Sequence, residues 1–247
     1  MRPAAGSAIN PGMTLDMRIA GLEWGRIEQD LDRQGWATTG PLLSSDECAA
    51  LATGYENDGL YRSRVVMARH GFGQGEYRYF AYPLPPLIQR LREGLYAGLV
   101  PLANRWREAL GLAEPFPASF EQYMLSCHEA GQTRPTPLIL RYGPGDYNCL
   151  HQDLYGNLNF PLQAAFLLSR PGKEFSGGEF VLTEQRPRMQ SRVEVVSLRR
   201  GDGVAFAVHN RPVQGTKGTY RVNLRHGVSR VRSGLRHTLG IIFHDAQ

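Results

Sequence analysis

At 247 residues the chain fits one domain of about 200–250 residues or two small ones, and no linker-like stretch divides it. Hydrophobic residues at 42% and charged residues at 21% exclude a disordered or fibrous protein. The net charge of +5 suits either an anionic partner or solvated surface charge; only Lys173 and Lys217 are lysines, which leaves 26 arginines among the 28 basic residues.

The first twenty residues, rich in Gly, Pro and Ala, read as a mobile tail, so that residues 21–247 are expected to form a single domain: 21–115 mainly helical support, 116–247 a strand-rich core. Trp24, Ile27 and Leu31 recur at helical steps among charged residues, and Gly35 stops that helix. A short strand is expected at Trp36–Thr39. Ser44 and Glu47 have the spacing of a capping box ahead of a second helix.

Between Tyr61 and Tyr82, Arg62, Arg64, Arg69 and Arg78 interleave with His70, Phe72, Tyr77, Tyr79 and Phe80 around Gly71-Phe72-Gly73-Gln74-Gly75. Tyrosines that stack on bases and arginines that meet phosphates would make a nucleic-acid surface, with Arg62, Arg64, Tyr77 and Tyr79 as substrate contacts. A twisted hairpin with half-buried tyrosines accounts for the same pattern.

After Pro85-Pro86, the stripe Leu87, Ile88, Leu91, Leu95, Leu99, Trp106, Leu110 predicts the longest helix, a brace that Pro101 kinks or divides. From Phe116 onward short alternating runs predict strands at 138–142, 150–153, 163–168, 178–183, 192–197, 203–207, 219–226 and 238–243. Eight strands suit a jelly roll, giving an α+β protein with N-terminal helices bracing one sheet.

Within that half, His151-Gln152-Asp153 places an imidazole and a carboxylate on one face of an extended strand. His226 supplies a third ligand. Two His and one carboxylate leave metal positions open, the arrangement of non-haem Fe(II) oxygenases. Arg236, ten residues beyond His226, offers a planar fork for a carboxylate, and Thr238 on the same strand face adds a hydroxyl. His209 is a rival third ligand, but Thr219 stands at the offset where His226 has Arg236. Cys149 shares the strand face of His151 and reads as a buried small hydrophobe in preference to a zinc ligand. His237 and His244 read as structural.

The succession His151-x-Asp153, Gly177-Gly-Glu-Phe180, Gly201-Asp-Gly-Val204, His226-Gly-Val and Arg236-x-Thr238 resembles the Fe(II)/2-oxoglutarate-dependent dioxygenase superfamily over roughly residues 136–245. Its C-terminal pieces are similar to prolyl-hydroxylase-type oxygenases. By contrast, Arg141-Tyr142-Gly143-Pro144-Gly145 leading into Leu150-His151-Gln152-Asp153 looks like the AlkB-type nucleic-acid demethylases, and the whole resembles a bacterial oxygenase family linked to oxidative repair of alkylated DNA. Leu140 departs from the Asn of the AlkB pattern, and Thr238 and Ile242 depart from its C-terminal Asn and Arg.

The resemblance implies a double-stranded β-helix with Fe(II), 2-oxoglutarate and O2 as cofactor and cosubstrates. It implies that His151, Asp153 and His226 hold the metal, and that Tyr142 joins Arg236 and Thr238 at the cosubstrate carboxylate. It also implies oxidative demethylation of a single-stranded or flipped base, with hydroxylation of a small molecule, amino acid or peptidyl side chain as the alternative. A zinc hydrolase would have no reason for Arg236, and a non-catalytic jelly-roll module would need no complete triad. Three scattered cysteines, no signal-like segment and no apolar run of membrane length make a cytoplasmic location the expectation.

Overall fold

The computed structural model describes residues 9, 12–112, 114–216 and 218–247. Among the described residues five α-helices run α1 Leu15–Ala20, α2 Trp24–Gln34, α3 Ser45–Thr53, α4 Pro86–Ala109 and α5 Phe120–Glu129. The N-terminal strands are β1 Trp36–Pro41, β2 Tyr61–Val66, β3 Gly73–Gln74 and β4 Glu76–Phe80. They are followed by β5 Leu138–Tyr142, β6 Tyr147–His151, β7 Leu162–Leu167, β8 Phe175–Gly177, β9 Phe180–Gln185 and β10 Arg192–Val196. The last are β11 Asp202–Ala207, β12 Asn210–Gly215, β13 Gly218–Val228, β14 Val231–Gly234 and β15 Arg236–Ile241.

These strands build a jelly roll. A seven-stranded antiparallel sheet, β1-β11-β7-β15-β5-β4-β2, faces a six-stranded sheet, β10-β9-β13-β6-β3, in which β12 also pairs with β13. The helices cover the outer face of the larger sheet: Ile88, Leu91, Leu95 and Leu99 of α4 share one apolar cluster with Phe80, Ile139, Leu239 and Ile241 of β4, β5 and β15. A second cluster, including Phe180, Leu182, Val204 and Phe206, lies between the sheets. Alternation along β5 and β15 therefore turns Ile139 and Leu239 toward the helices and leaves Leu138, Leu140, Tyr142, Arg236 and Thr238 on the opposite face.

Several local signals act as the sequence indicates. Gly35 ends α2 in the left-handed conformation, and Ser44 and Glu47 complete a reciprocal capping box. The brace α4 runs 24 residues with Pro101 inside it, so the proline does not end or divide it.

Other boundaries change. The tail expected through residue 20 stops short, because Leu15–Ala20 is a helix, capped by Thr14, whose Leu15 and Ile19 are buried in the helical cluster. Residues 1–8, 10 and 11 lie outside the described residues. The segment read as mainly helical supplies β1, β2 and β4 to the larger sheet. In the strand-rich half, α5 was not anticipated, nor were β8, β12 and β14. Among the described residues no helix is long and apolar enough to cross a membrane.

Candidate active site

β6 and β13 pair so that His151 and His226 are direct cross-strand partners, their ring centroids 4.2 Å apart. β6 ends at His151, and Asp153 lies just past it, with carboxylate oxygens 3.5 Å from His151 Nε2 and 3.4 Å from His226 Nε2. One ligand atom from each residue falls within 4.8 Å of the other two.

Neighbouring groups orient this cluster. His151 Nδ1 meets the Cys149 carbonyl at 2.8 Å; a carbonyl only accepts, so Nδ1 carries a proton and Nε2 is the atom turned toward Asp153. Tyr155 donates its hydroxyl to one Asp153 oxygen at 2.8 Å, and the Gln163 amide donates to the other at 2.9 Å. The His226 ring packs against Phe206, centroids 4.7 Å apart. Burial would raise the Asp153 carboxyl, but hydrogen bonds and charge from His151 and His226 outweigh it and hold the group well below the usual carboxylate range. Burial and the His151 charge lower His226 against the pull of Asp153, whereas for His151 the Asp153 carboxylate overcomes burial and raises it. Two imidazoles, an ionised carboxylate and ordered supporting contacts fit a divalent transition metal bound with positions left open.

Arg236 starts β15 opposite Tyr142 of β5. It is 2% exposed, and among the described residues no carboxylate pairs with it; Nη1 donates to the Thr238 hydroxyl, while Nε is buried without a partner. The Tyr142 hydroxyl is likewise buried and unpartnered. Burial brings the guanidinium pKa down to about 10, still high enough to keep it charged. Gly178, with φ +64°, leaves the necessary room: a Cβ there would come 2.8 Å from Arg236 Cδ, which accounts for the second glycine of the Gly177-Gly178 pair ahead of β9.

The triad, Arg236, Thr238 and Tyr142 all line one cavity of about 370 Å³ between the sheets, with Leu138, Leu140 and Tyr77 among its other walls. Positive charge, an orphan hydroxyl and a second hydroxyl fit the distal carboxylate of a small dicarboxylate.

The expected substrate residues are placed less uniformly. Tyr77 lines the cavity. Tyr79 is buried, its hydroxyl donating to Tyr155 at 3.1 Å, so its ring is not an open stacking platform. Arg62 lies 4.5 Å over that ring and donates to the Pro135 carbonyl at 2.9 Å, and exposed Arg64 is paired with Glu76. The hairpin β2–β4 is thus an edge of the larger sheet, and the residues it sends to the cavity mouth are Gly71 and the 48%-exposed Phe72. Gly73, at φ +128°, docks that loop on β6, where a Cβ would lie 2.3 Å from the Tyr147 carbonyl oxygen.

Cys149 is exposed, not buried, because β6 carries it at the cavity rim, and it is outside the metal cluster. His209 is also outside the cluster. Sequence reasoning missed Tyr155 and Gln163. Gln163 left a signal, as the single amide in the otherwise apolar run Leu162–Leu167.

The family model described as "Oxygenase, catalysing oxidative methylation of damaged DNA" matches residues 75–246. The chain belongs to that family. Uncharacterized proteins from two strains of Mycobacterium tuberculosis are each 49% identical over 189 residues, covering 76% of this chain and 78% of their own length. Among solved structures, a Trichoplax adhaerens prolyl hydroxylase in complex with a peptide fragment is 13% identical, TM-score 0.56, over 96% of this chain and 94% of its own. A 2OG-Fe(II) family oxidoreductase from Burkholderia pseudomallei is 16% identical, TM-score 0.53, over 90% and 92%. At such identities these structures establish the jelly-roll fold. With the family and the His-Asp-His cluster, the protein is a 2-oxoglutarate-dependent Fe(II) oxygenase using O2 as cosubstrate.

Proposed function

We propose that His151, Asp153 and His226 hold the iron, that Arg236, Thr238 and Tyr142 receive the distal carboxylate of 2-oxoglutarate, and that the cavity takes an alkylated base of single-stranded DNA for oxidative demethylation. The observation that carries this reading is the shared cavity: an ionised His-Asp-His cluster and a buried guanidinium without a carboxylate partner open into the same space. When bound, the metal would supply the oxidative decarboxylation of 2-oxoglutarate by O2, one oxygen atom going into succinate as CO2 leaves and the other into a substrate C–H bond as a hydroxyl. On an N-methyl group the product is a hemiaminal that loses formaldehyde.

The chain's own residues prepare that chemistry. The Cys149 carbonyl fixes the His151 tautomer, Tyr155 and Gln163 fix the Asp153 carboxylate, and Phe180 and Phe206 shield the back of His226 from water. Arg236 sets the direction of the cosubstrate. Tyr77 and Phe72, which line the same cavity, would flank an entering planar base. The family description names damaged DNA, and from the AlkB-like run Tyr142 and Leu150–Asp153 line the cavity. The prolyl-hydroxylase likeness lends support to the fold alone.

The decisive assay measures succinate and formaldehyde with N-methylated single-stranded DNA, the same strand unmethylated, methylated RNA, and amino acids or peptides. Methyl-dependent release of both products on DNA is expected; stimulation only by an amino acid or metabolite would transfer the assignment to a small-molecule hydroxylase. Asp153→Ala should abolish turnover and Mn(II) binding while leaving the circular dichroism spectrum intact, since changes beyond the ligands alone cost about 10–100-fold in metal affinity. Full turnover in that variant would refute the triad.

A further inference from the structure

The segment after Asp153 also walls a second cavity, of about 170 Å³, closed on other sides by α4 and by the start of β12. Arg107 and Arg221 line it together with Trp106, Phe116, His209 and Asn210, and no Asp or Glu lines it. Among the described residues neither arginine makes an ion pair, although Arg105 on the same helix pairs with Glu28 at 2.8 Å. The Arg107 guanidinium lies 4.7 Å over the Phe116 ring, with Nε buried and unpartnered. The Asn210 amide meets His209 Nδ1 at 3.1 Å; an amide nitrogen donates, so the imidazole proton is on Nε2, a further donor. The Trp106 indole N–H is already taken by Asp32 at 2.6 Å, which leaves its ring as an apolar wall.

We propose that this cavity is a second binding site, for a small organic anion: one planar ring carrying a phosphate or carboxylate. The ring packs among Trp106 and Phe116, and the anionic head meets Arg107 and Arg221. Positive charge without internal acid, beside aromatic walls, is the complement of that chemistry. It stands apart from the iron site, since Arg236 belongs to the first cavity only.

The test is calorimetric titration of the protein loaded with Mn(II) and 2-oxoglutarate, using phenyl phosphate and benzoate as probes for the two head groups. Saturable binding of at least one is expected, with inorganic phosphate and benzyl alcohol each much weaker than the intact probe. Removing one charge-assisted hydrogen bond through Arg107→Ala or Arg221→Glu should weaken binding about tenfold or more. Arg236→Ala should bind the probe unchanged. Arg221 is exposed, so its variant tests the charge without disturbing the fold. Absence of saturable binding, unaltered affinity in both cavity variants, or a deficit confined to Arg236→Ala would overturn the proposal.

Discussion

Arg92 and Arg236 are both withdrawn from water, 0% and 2% exposed, yet the fold treats their charges in opposite ways. Arg92, on the sheet-facing side of α4, donates to the carbonyls of Ile242 and Phe243 at 2.9 and 3.0 Å, to the Tyr82 hydroxyl at 3.1 Å and to Asp245 at 2.6 Å. That region neutralises its charge internally and ties the C-terminus to the brace. Arg236 keeps one hydroxyl partner and an orphan Nε beside a cavity. A buried cation costs several kcal/mol unless paired, so an arginine that the protein leaves unpaired against an open space is one whose partner arrives as a ligand.

The largest effect that would test the contrast is on the paired arginine. Arg92→Ala removes the charged partner of the buried Asp245 carboxylate and leaves it only the Tyr82 hydroxyl and His128, each at 2.9 Å, and should cost about 3–5 kcal/mol of stability in denaturant unfolding. Arg236→Ala should instead leave the unfolding midpoint unchanged or raise it. Its deficit appears in 2-oxoglutarate affinity, weakened roughly tenfold to a hundredfold for the loss of about 1.5–3 kcal/mol of charge-assisted bonding, and less in Arg236→Lys, which keeps charge without the fork. Were Arg236→Ala to unfold the protein and spare cosubstrate binding, the two arginines would be alike and the carboxylate pocket would lie elsewhere.

The C-terminal seam also sets a pH limit. The Phe160 N–H donates to His244 Nδ1 at 3.2 Å, so the folded ring is neutral there, and burial with the nearby Arg92 charge pushes its pKa down to about 4. An unfolded histidine titrates near 6.5, so between these values the unfolded chain binds a proton that the folded chain refuses. Stability should fall as pH drops from about 6.5 toward 4, by up to about 1.4 kcal/mol per unit from this group. His237, pushed by burial to about 4 as well, adds a slope of the same sign. His244→Gln should flatten the profile of melting temperature against pH in that window; an unaltered profile would assign the slope to other groups.

What could be read from the sequence was local. The capping box, the Gly35 stop, the apolar stripe of α4 and the His151-x-Asp153 clip each lie within a few turns or residues, and Arg236 and His226 stood out by their spacing. What could not be read was pairing. β4 joins β5 from some sixty residues away, and only that junction reveals that Tyr79 points into the protein rather than onto its surface. The same holds for Arg92 with Asp245, and for Tyr155 and Gln163 converging on Asp153 from the loop after β6 and from β7.

The smallest expected effect concerns a third arginine, Arg64, which is exposed but already paired. As a phosphate-binding group, it should lower the salt dependence of oligonucleotide binding when removed; but in the fold its guanidinium is paired with Glu76, which also takes Arg141 and the Tyr55 hydroxyl. A cation already matched by a carboxylate adds little net field, and exposed pairs are worth about 0–1 kcal/mol. Arg64→Ala should therefore leave the slope of log affinity against log salt for methylated single-stranded DNA nearly unchanged, whereas removing an arginine that does neutralise a phosphate would flatten it by about 0.7. Tyr77→Ala, which removes a cavity wall, should weaken the same binding more than Arg64→Ala does, without changing Mn(II) affinity. A slope that flattens by that full amount in Arg64→Ala would mean that DNA draws this arginine away from Glu76, and that the hairpin edge, not the cavity mouth alone, carries the strand.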